Sequence, residues 1–75
     1  MTTEELKAEA AAVARSLREA PSVSADVRKR FIGLRAALFG RGVFNPVLAR
    51  FDSATVTRAS SEEIAAQLDA LATSL

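Results

Sequence analysis

The stretch DVRKRFIGLRAALFGRG, residues 26–42, has the pattern of one amphipathic helix that ends in glycine. Its main apolar stripe recurs at the i, i+4, i+7, i+11 spacing of an α-helix and consists of Val27, Phe31, Leu34 and Leu38. Ile32 and Phe39 form a second apolar arc, about 100° away around the helix. Two apolar arcs predict a central helix that packs against both other long helices.

Two other segments repeat the same spacing, so the chain is predicted to fold around three long helices. Their stripes are Leu6, Ala10, Val13 and Leu17 in the first segment, and Ile64, Leu68, Leu71 and Leu75 in the last. Asn45 and Pro46 predict a short additional helix, since asparagine caps helices and proline suits their first position. The expected fold is an all-α, small three-helix bundle with an additional short helix (about residues 4–20, 25–39, 46–52 and 61–74) and an extended linker at about 53–60.

The helix ends carry recognisable stop and start signals. Serine and threonine favour the residue before a helix, and glycine favours the left-handed position after one. A serine followed three residues later by glutamate is the spacing of a capping box. The expected signals are Thr3 and Pro21 at the ends of the first helix, Ser24 and Gly40 at those of the second, and Ser60 with Glu63 before the last, where Ser61 is a competing cap. Between the second helix and the short one, Val43 and Phe44 are expected to plug the end of the core.

Length and composition indicate a single helical domain over residues 1–75. The chain has 75 residues, of which 49% are hydrophobic and 25% charged, which is typical of a folded protein. It contains no cysteine and no histidine, so disulfides and the usual zinc ligands are excluded. No stretch approaches the ~20 apolar residues of a membrane span, and acids stand near the amino terminus where an export signal has basic residues. A soluble cytoplasmic protein without membrane contact is therefore expected.

The sequence offers little for catalysis. Histidine, cysteine and tyrosine are absent, and most glutamates fall in first helical turns, where the helix dipole accounts for them. Asp52 and Ser53 in FDSAT resemble the Asp-Ser pair of acyl carrier proteins, in which the serine carries phosphopantetheine. Those proteins are acidic and their serine opens a long helix, so we expect a turn at this position instead. We predict no enzyme activity, no catalytic residue, no cofactor and no metal.

Charge is unevenly distributed along the chain. Residues 28–58 hold seven basic side chains against one acid, Asp52, while the whole chain has a net charge of +1. Arg28 and Arg35 fall between the two apolar arcs of the central helix. They would either pair with acids of the first and last helices or border an apolar groove that receives an acidic amphipathic helix.

The functional prediction follows from this basic and apolar helix. It is a non-catalytic protein–protein interaction module, such as an adaptor, small subunit or docking domain, whose partner is another protein with an acidic surface or acidic amphipathic helix. The predicted partner-binding residues are Arg28, Ile32, Arg35, Phe39 and Arg41.

Two alternatives stay open beside this interpretation. One is a nucleic-acid or phosphate-binding protein that uses the basic segment 28–58; it is less favoured because tryptophan and tyrosine, which stack on bases, are absent. The other is a homodimer, in which Gly33, Ala36 and Ala37 on the opposite side of the helix allow close approach of a second copy.

Overall fold

A computed structural model describes residues 2–19 and 22–75. Within these residues it has four helices and no strand: α1 (Thr3–Glu19), α2 (Ala25–Gly40), α3 (Pro46–Ala49) and α4 (Ser61–Ser74). The all-α bundle with a short additional helix is confirmed. Pro21, expected to end the first helix, lies outside the described residues.

The core forms around α1, which is the helix that packs against both α2 and α4. The prediction that α2 is central is wrong, because α2 and α4 have no comparable packing within the described chain. The physical reason lies in the face that α1 buries, which includes two small residues, Ala10 and Ala14, while α4 buries Ala65. Small side chains let two helix axes approach closely, so α1 and α4 form the tightest pair.

Helices α2 and α4 both run in the direction opposite to α1. At one end, Arg41 Nη1, just after α2, donates a hydrogen bond to Thr3 Oγ1 at the start of α1 (2.7 Å). At the other end, Arg58 Nη1, just before α4, donates to the carbonyl oxygen of Leu17 near the end of α1 (2.8 Å). Both neighbours therefore run antiparallel to α1.

The remaining side of the bundle is closed by α3 and the segment that follows it. Leu48 and Val56 are fully buried there and anchor this segment to the core. Helix α3 is shorter than the predicted 46–52, because the amides of Arg50 and Phe51 bond to carbonyls only three residues back, which tightens and ends the helix.

Residues 53–60 contain no helix, as predicted, but they are not extended. Asp52 Oδ1 accepts hydrogen bonds from the amides of Ala54 (2.8 Å) and Thr55 (3.0 Å), which makes a first turn. Ser60 Oγ accepts from the amide of Thr57 (3.0 Å) in a second turn. Asp52 and Ser60 satisfy backbone groups locally, so the chain folds back twice instead of running straight.

Two predicted helix starts are confirmed. Ser24 Oγ accepts from the amide of Val27 (3.2 Å) at the start of α2. Asn45 Oδ1 accepts from the amides of Val47 (2.8 Å) and Leu48 (3.2 Å), and Pro46 occupies the first turn of α3.

The other two predicted starts agree with the structure only in part. The cap of α1 is Thr2 and not Thr3: Thr2 and Glu5 bond reciprocally through side chain and amide. Ser60 is the N-cap residue of α4, as predicted, but its capping box with Glu63 does not form, because Ser60 Oγ accepts from the Thr57 amide and Glu63 pairs with Arg50.

The end of α2 also differs from the prediction by two residues. Gly40 is the last helical residue, and Gly42 holds the left-handed conformation, with φ 81°. The Val43 amide bonds to the Leu38 carbonyl and the Gly42 amide to that of Phe39, which is the Schellman pattern. This pattern requires its positive φ at Gly42, so the turn after α2 is sharply defined.

None of the described helices is long and apolar enough to cross a membrane. Over the same described part of the chain, no pocket is found and no group of three acidic side chains is placed to hold a metal ion.

Candidate interaction surface

Two arginines of α2 fasten the segment after α3 to the bundle. Arg28 Nε donates to the carbonyl oxygen of Val56 at 3.0 Å. Arg35 Nη1 donates to the carbonyl oxygen of Phe51 and, at 3.5 Å, to that of Leu48. Residues 48–56 therefore cover the side of α2 on which these arginines lie, and both guanidinium groups serve backbone carbonyls rather than acids of α1 or α4.

The ion pairs of the described chain involve other arginines. Arg30 joins α2 to Glu9 of α1 (2.9 Å), and Arg50 joins the end of α3 to Glu63 of α4 (2.8 Å). Arg18 of α1 pairs with two acids of α4, Asp69 and Glu62. The hydrogen bond that Arg18 donates to Asp69, and after it the one that it donates to Glu62, raises the pKa of Arg18. These pairs hold the helices together at their edges and are largely exposed.

Most cations of the basic segment 28–58 therefore lack an ion pair in the described chain. Within the described residues, five of the seven form no ion pair: Arg28, Lys29, Arg35, Arg41 and Arg58. The one acid of the segment, Asp52, is engaged in its own turn, where the amides of Ala54 and then Thr55 lower its pKa. A positive field thus remains on α2 and the turns beside it.

An exposed aromatic ring lies at the carboxyl end of α2. Phe44 is 69% exposed and is the only large apolar side chain so exposed in the described chain. Its ring centroid lies 5.5 Å from that of the half-buried Phe39, with the planes inclined by 35°. The expectation that Phe44 plugs the core is wrong, although Val43 does pack against it. The Gly42 turn reverses the chain, and Asn45 starts α3 one residue after Phe44, which leaves this ring on the outside.

The structure brings together only part of the predicted partner-binding set. Phe39 contacts Phe44, and Arg41 is exposed in the same turn, where it bonds to the hydroxyl of Thr3. Ile32 is half-buried and packs against the core. Sequence reasoning missed Phe44 as a surface residue, although the sequence contained a signal. Phe44 lies between a glycine turn and an Asn-Pro helix start, and so short a segment leaves little freedom for a large side chain to point into the core.

The outward face of α2 carries one continuous exposed row, named here the α2 strip: Lys29, Gly33, Ala36 and Gly40. These residues follow the i, i+4, i+7, i+11 spacing of a single helix face. A Cβ atom built on Gly33 or Gly40 would meet nothing within 4 Å. Of the predicted dimer residues, Gly33 and Ala36 lie on this strip, whereas Ala37 is half-buried against the core.

Compared with known proteins, the chain matches no family model, no curated protein and no solved structure. The proposal for its function is therefore based on the surface of the chain itself.

Proposed function

We propose that this chain is a non-catalytic protein–protein interaction module, an adaptor, small subunit or docking domain, that binds an acidic partner through α2 and the turn after it. The observation that carries the proposal is Phe44, whose ring is 69% exposed and contacts the ring of Phe39 at an inclination of 35°. Binding energy at protein interfaces concentrates in a few aromatic and arginine anchors. The turn after α2 therefore holds both kinds of anchor, the exposed Phe44 ring and Arg41, which forms no ion pair in the described chain.

The five residues predicted from the sequence take different parts in this proposal. Phe39 supports the exposed Phe44 ring, and Ile32 borders the α2 strip. Arg41 offers a guanidinium whose only hydrogen bond in the described chain goes to a hydroxyl, so a partner carboxylate would bind it more strongly. Arg28 and Arg35 contribute positive potential while they hold the chain's own carbonyls.

The nucleic-acid alternative has less support from the same contacts. Each phosphate neutralised by a cation adds about −0.9 to the slope of log affinity against log salt for duplex DNA. In the basic segment, Arg28 and Arg35 are half-buried and donate hydrogen bonds to backbone carbonyls. Arg30 and Arg50 already form ion pairs with acids. Few cations of the segment are therefore free to contact the successive phosphates of a nucleic-acid backbone. Binding to one acidic patch on a protein requires only a few such cations.

The test compares the wild-type chain with Phe44→Ser and Arg41→Ala in cross-linked capture from the source cells. Arg15→Ala is the matched control, because Arg15 is also an exposed arginine without an ion pair in the described chain but lies on α1. A partner should be retained by wild type and by Arg15→Ala, and lost or depleted with the other two variants. Its affinity is then measured with purified proteins at about 50 and 200 mM salt.

Two results would count against the interaction module. One is a partner captured equally by all four proteins. The other is tight, steeply salt-dependent binding of generic DNA or RNA that is insensitive to Phe44→Ser, which would favour the nucleic-acid function. The cytoplasmic setting is part of the same proposal and is checked by fractionating cells that express the tagged chain.

A further inference from the structure

The turn between α2 and α3, residues 41–45, is hydrogen-bonded to all three long helices. Its amides bond to carbonyls of the last turn of α2 in the Schellman pattern. Arg41 Nη1 donates to Thr3 Oγ1 of α1 (2.7 Å), and Asn45 Nδ2 donates to Gln67 Oε1 of α4 (3.0 Å). Because both ends of the turn are bonded to the bundle, the backbone between them is held in one position.

Phe44 projects from the centre of this turn. Its neighbours in the chain, Val43 and Asn45, are half-buried, whereas Phe44 is 69% exposed. One side of its ring contacts Phe39, with the centroids 5.5 Å apart. A flat partner surface would cover only one face of such a ring. To remove both the free face and the edge from water, a partner must surround the ring.

We infer that Phe44 is a preformed anchor that inserts into a concave apolar pocket, wide enough for one phenyl ring, on the partner protein. Binding energy concentrates in aromatic side chains that fill fully desolvated pockets. A side chain presented on a fixed turn also loses less conformational entropy when it binds. This inference rests on the proposed function and specifies the kind of surface that the partner offers.

Charge favours a different protein over a second copy of this chain as the source of the pocket. The turn belongs to the segment 28–58, in which seven basic residues are balanced by one acid. Two such segments facing each other would bring like charges together, which is unfavourable. A partner with acidic groups around its pocket suits the charge of this segment.

β-Cyclodextrin tests the insertion without the natural partner, because this cyclic sugar has an apolar cavity that admits one phenyl ring. It is titrated into the full chain labelled with ¹³C at phenylalanine, and the Phe44 signal is the one that Phe44→Ser removes. The Phe44 and Phe39 signals should shift, with an affinity about threefold weaker than that of free N-acetylphenylalaninamide, since part of the ring is already covered.

Linear maltoheptaose is the matched control for β-cyclodextrin, since it is built of the same sugar and has no closed cavity. It should leave the signals of the chain unchanged. If the Phe44 signal does not move at a β-cyclodextrin concentration that saturates the free amide, the ring cannot enter a cavity and the inference is wrong.

The partner captured by the wild-type chain tests the shape of its own surface. Phe44→Trp should weaken binding about tenfold, because the larger ring overfills a pocket made for phenylalanine. A flat apolar contact would instead bind Phe44→Trp as tightly as wild type or more tightly, since tryptophan has more apolar area. That result would overturn the pocket. Ala66→Trp, at an exposed position of α4, is the matched control and should leave affinity unchanged.

Gln67→Ala tests whether the fixed turn matters. It removes the hydrogen bond between Asn45 and α4 and leaves the ring itself unchanged. Binding should weaken about threefold, the effect of having to order one more side chain in the complex. Thr73→Ala is the control, because the Thr73 hydroxyl bonds only within α4 in the described chain. Equal affinities of these two variants, both folded by circular dichroism, would contradict the preformed anchor.

Three further outcomes separate this inference from the proposed function. A Phe44-dependent partner that accepts Phe44→Trp would leave the interaction module standing and overturn the pocket. A dimer that Phe44→Ser dissociates, or Phe44-dependent binding to phosphatidylglycerol vesicles, would assign the ring to a second copy or to a lipid surface and overturn the pocket on another protein. Absence of any Phe44-dependent partner would overturn the proposed function as well.

Discussion

Arg28 Nε donates a hydrogen bond to the carbonyl oxygen of Val56 at 3.0 Å, although 27 residues separate the two along the chain. Arg35 and Arg58 bond in the same way, to Phe51 and Leu17. Each carbonyl belongs to a helix end or an irregular segment, where backbone acceptors lack a regular partner. Arginines that the sequence pattern assigns to a binding surface therefore also hold irregular segments against the helices.

Because of these hydrogen bonds, removal of one of the arginines should lower the stability of the fold more than removal of an exposed charge. Hydrogen bonds to charged groups contribute about 1.5–3 kcal/mol, so Arg35→Ala should lower the free energy of unfolding by an amount in that range or slightly below. Lys29→Ala, at an exposed neighbour without a carbonyl contact in the described chain, should change it by less than about 0.5 kcal/mol. Urea denaturation of both variants checks this. Equal stabilities of the two variants would mean that the hydrogen bonds of Arg35 do not stabilise the fold.

The core assignment predicts a larger effect at Leu34, which is 2% exposed on α2. Leu34→Ala removes buried methyl groups and leaves a cavity, so it should cost about 2–5 kcal/mol. That is a large share of the stability of so small a domain. Thermal denaturation followed by circular dichroism measures it; a melting temperature equal to that of wild type would contradict the packing of α2.

Two glycines should respond in opposite directions to alanine. Gly33 lies in a helix interior with open space above it, so Gly33→Ala should stabilise the protein by about 0.4–1 kcal/mol through helix propensity and a less flexible unfolded chain. Gly42 has a φ of 81°, so Gly42→Ala should destabilise it by about 1–2 kcal/mol. Denaturant midpoints of the two variants test this: an unchanged or higher midpoint for Gly42→Ala would contradict the Schellman turn, and a lower one for Gly33→Ala would contradict the open space above Gly33.

Two carboxylates should make stability fall in acid. The pKa of Asp52 lies below its ordinary 3.8 because of the Ala54 and Thr55 amides, and that of Glu5 below 4.5 because of the Thr2 amide and then its hydroxyl. A lowered folded-state pKa stabilises the fold above the ordinary value, and this contribution is lost as pH falls through the folded-state pKa. Unfolding measured from about pH 6 to pH 3 should show the loss.

Asp52→Asn and Glu5→Gln serve as controls for this pH effect. Each retains an acceptor oxygen for the local amides but has no titratable group at that position. Their stability should therefore decline less steeply between the same pH limits. A slope identical to that of wild type in the double variant would show that other groups control the acid response.

The sequence predicted the helices well because their signals are local. The period of Val27, Phe31, Leu34 and Leu38 identifies α2, and three of these four are buried as expected. Ser24 and Asn45 cap the helices that follow them, since capping involves only the next three residues. Errors of one or two residues, such as Thr3 for Thr2 or Gly40 for Gly42, arise because neighbouring residues compete for the same cap.

The candidate surface was less accessible to sequence reasoning. Phe39 and Arg41 were predicted as partner-binding residues from the sequence, but Phe44 was expected in the core, because hydrophobicity alone does not state on which side of a turn a residue lies. The α2 strip was partly visible as Gly33 and Ala36. Its extension to Lys29 and Gly40 depends on which face of α2 meets α1.

By itself, the sequence determined the all-α class, the number of helices and the concentration of positive charge between residues 28 and 58. These are properties of short periodic segments and of composition. Only the tertiary structure decided that α1 is the central helix, that Arg28 and Arg35 bond to carbonyls of the segment after α3, and that Phe44 faces outward. Those outcomes depend on contacts between residues far apart in the chain, and many pairings of such residues satisfy the same local pattern until close packing selects one.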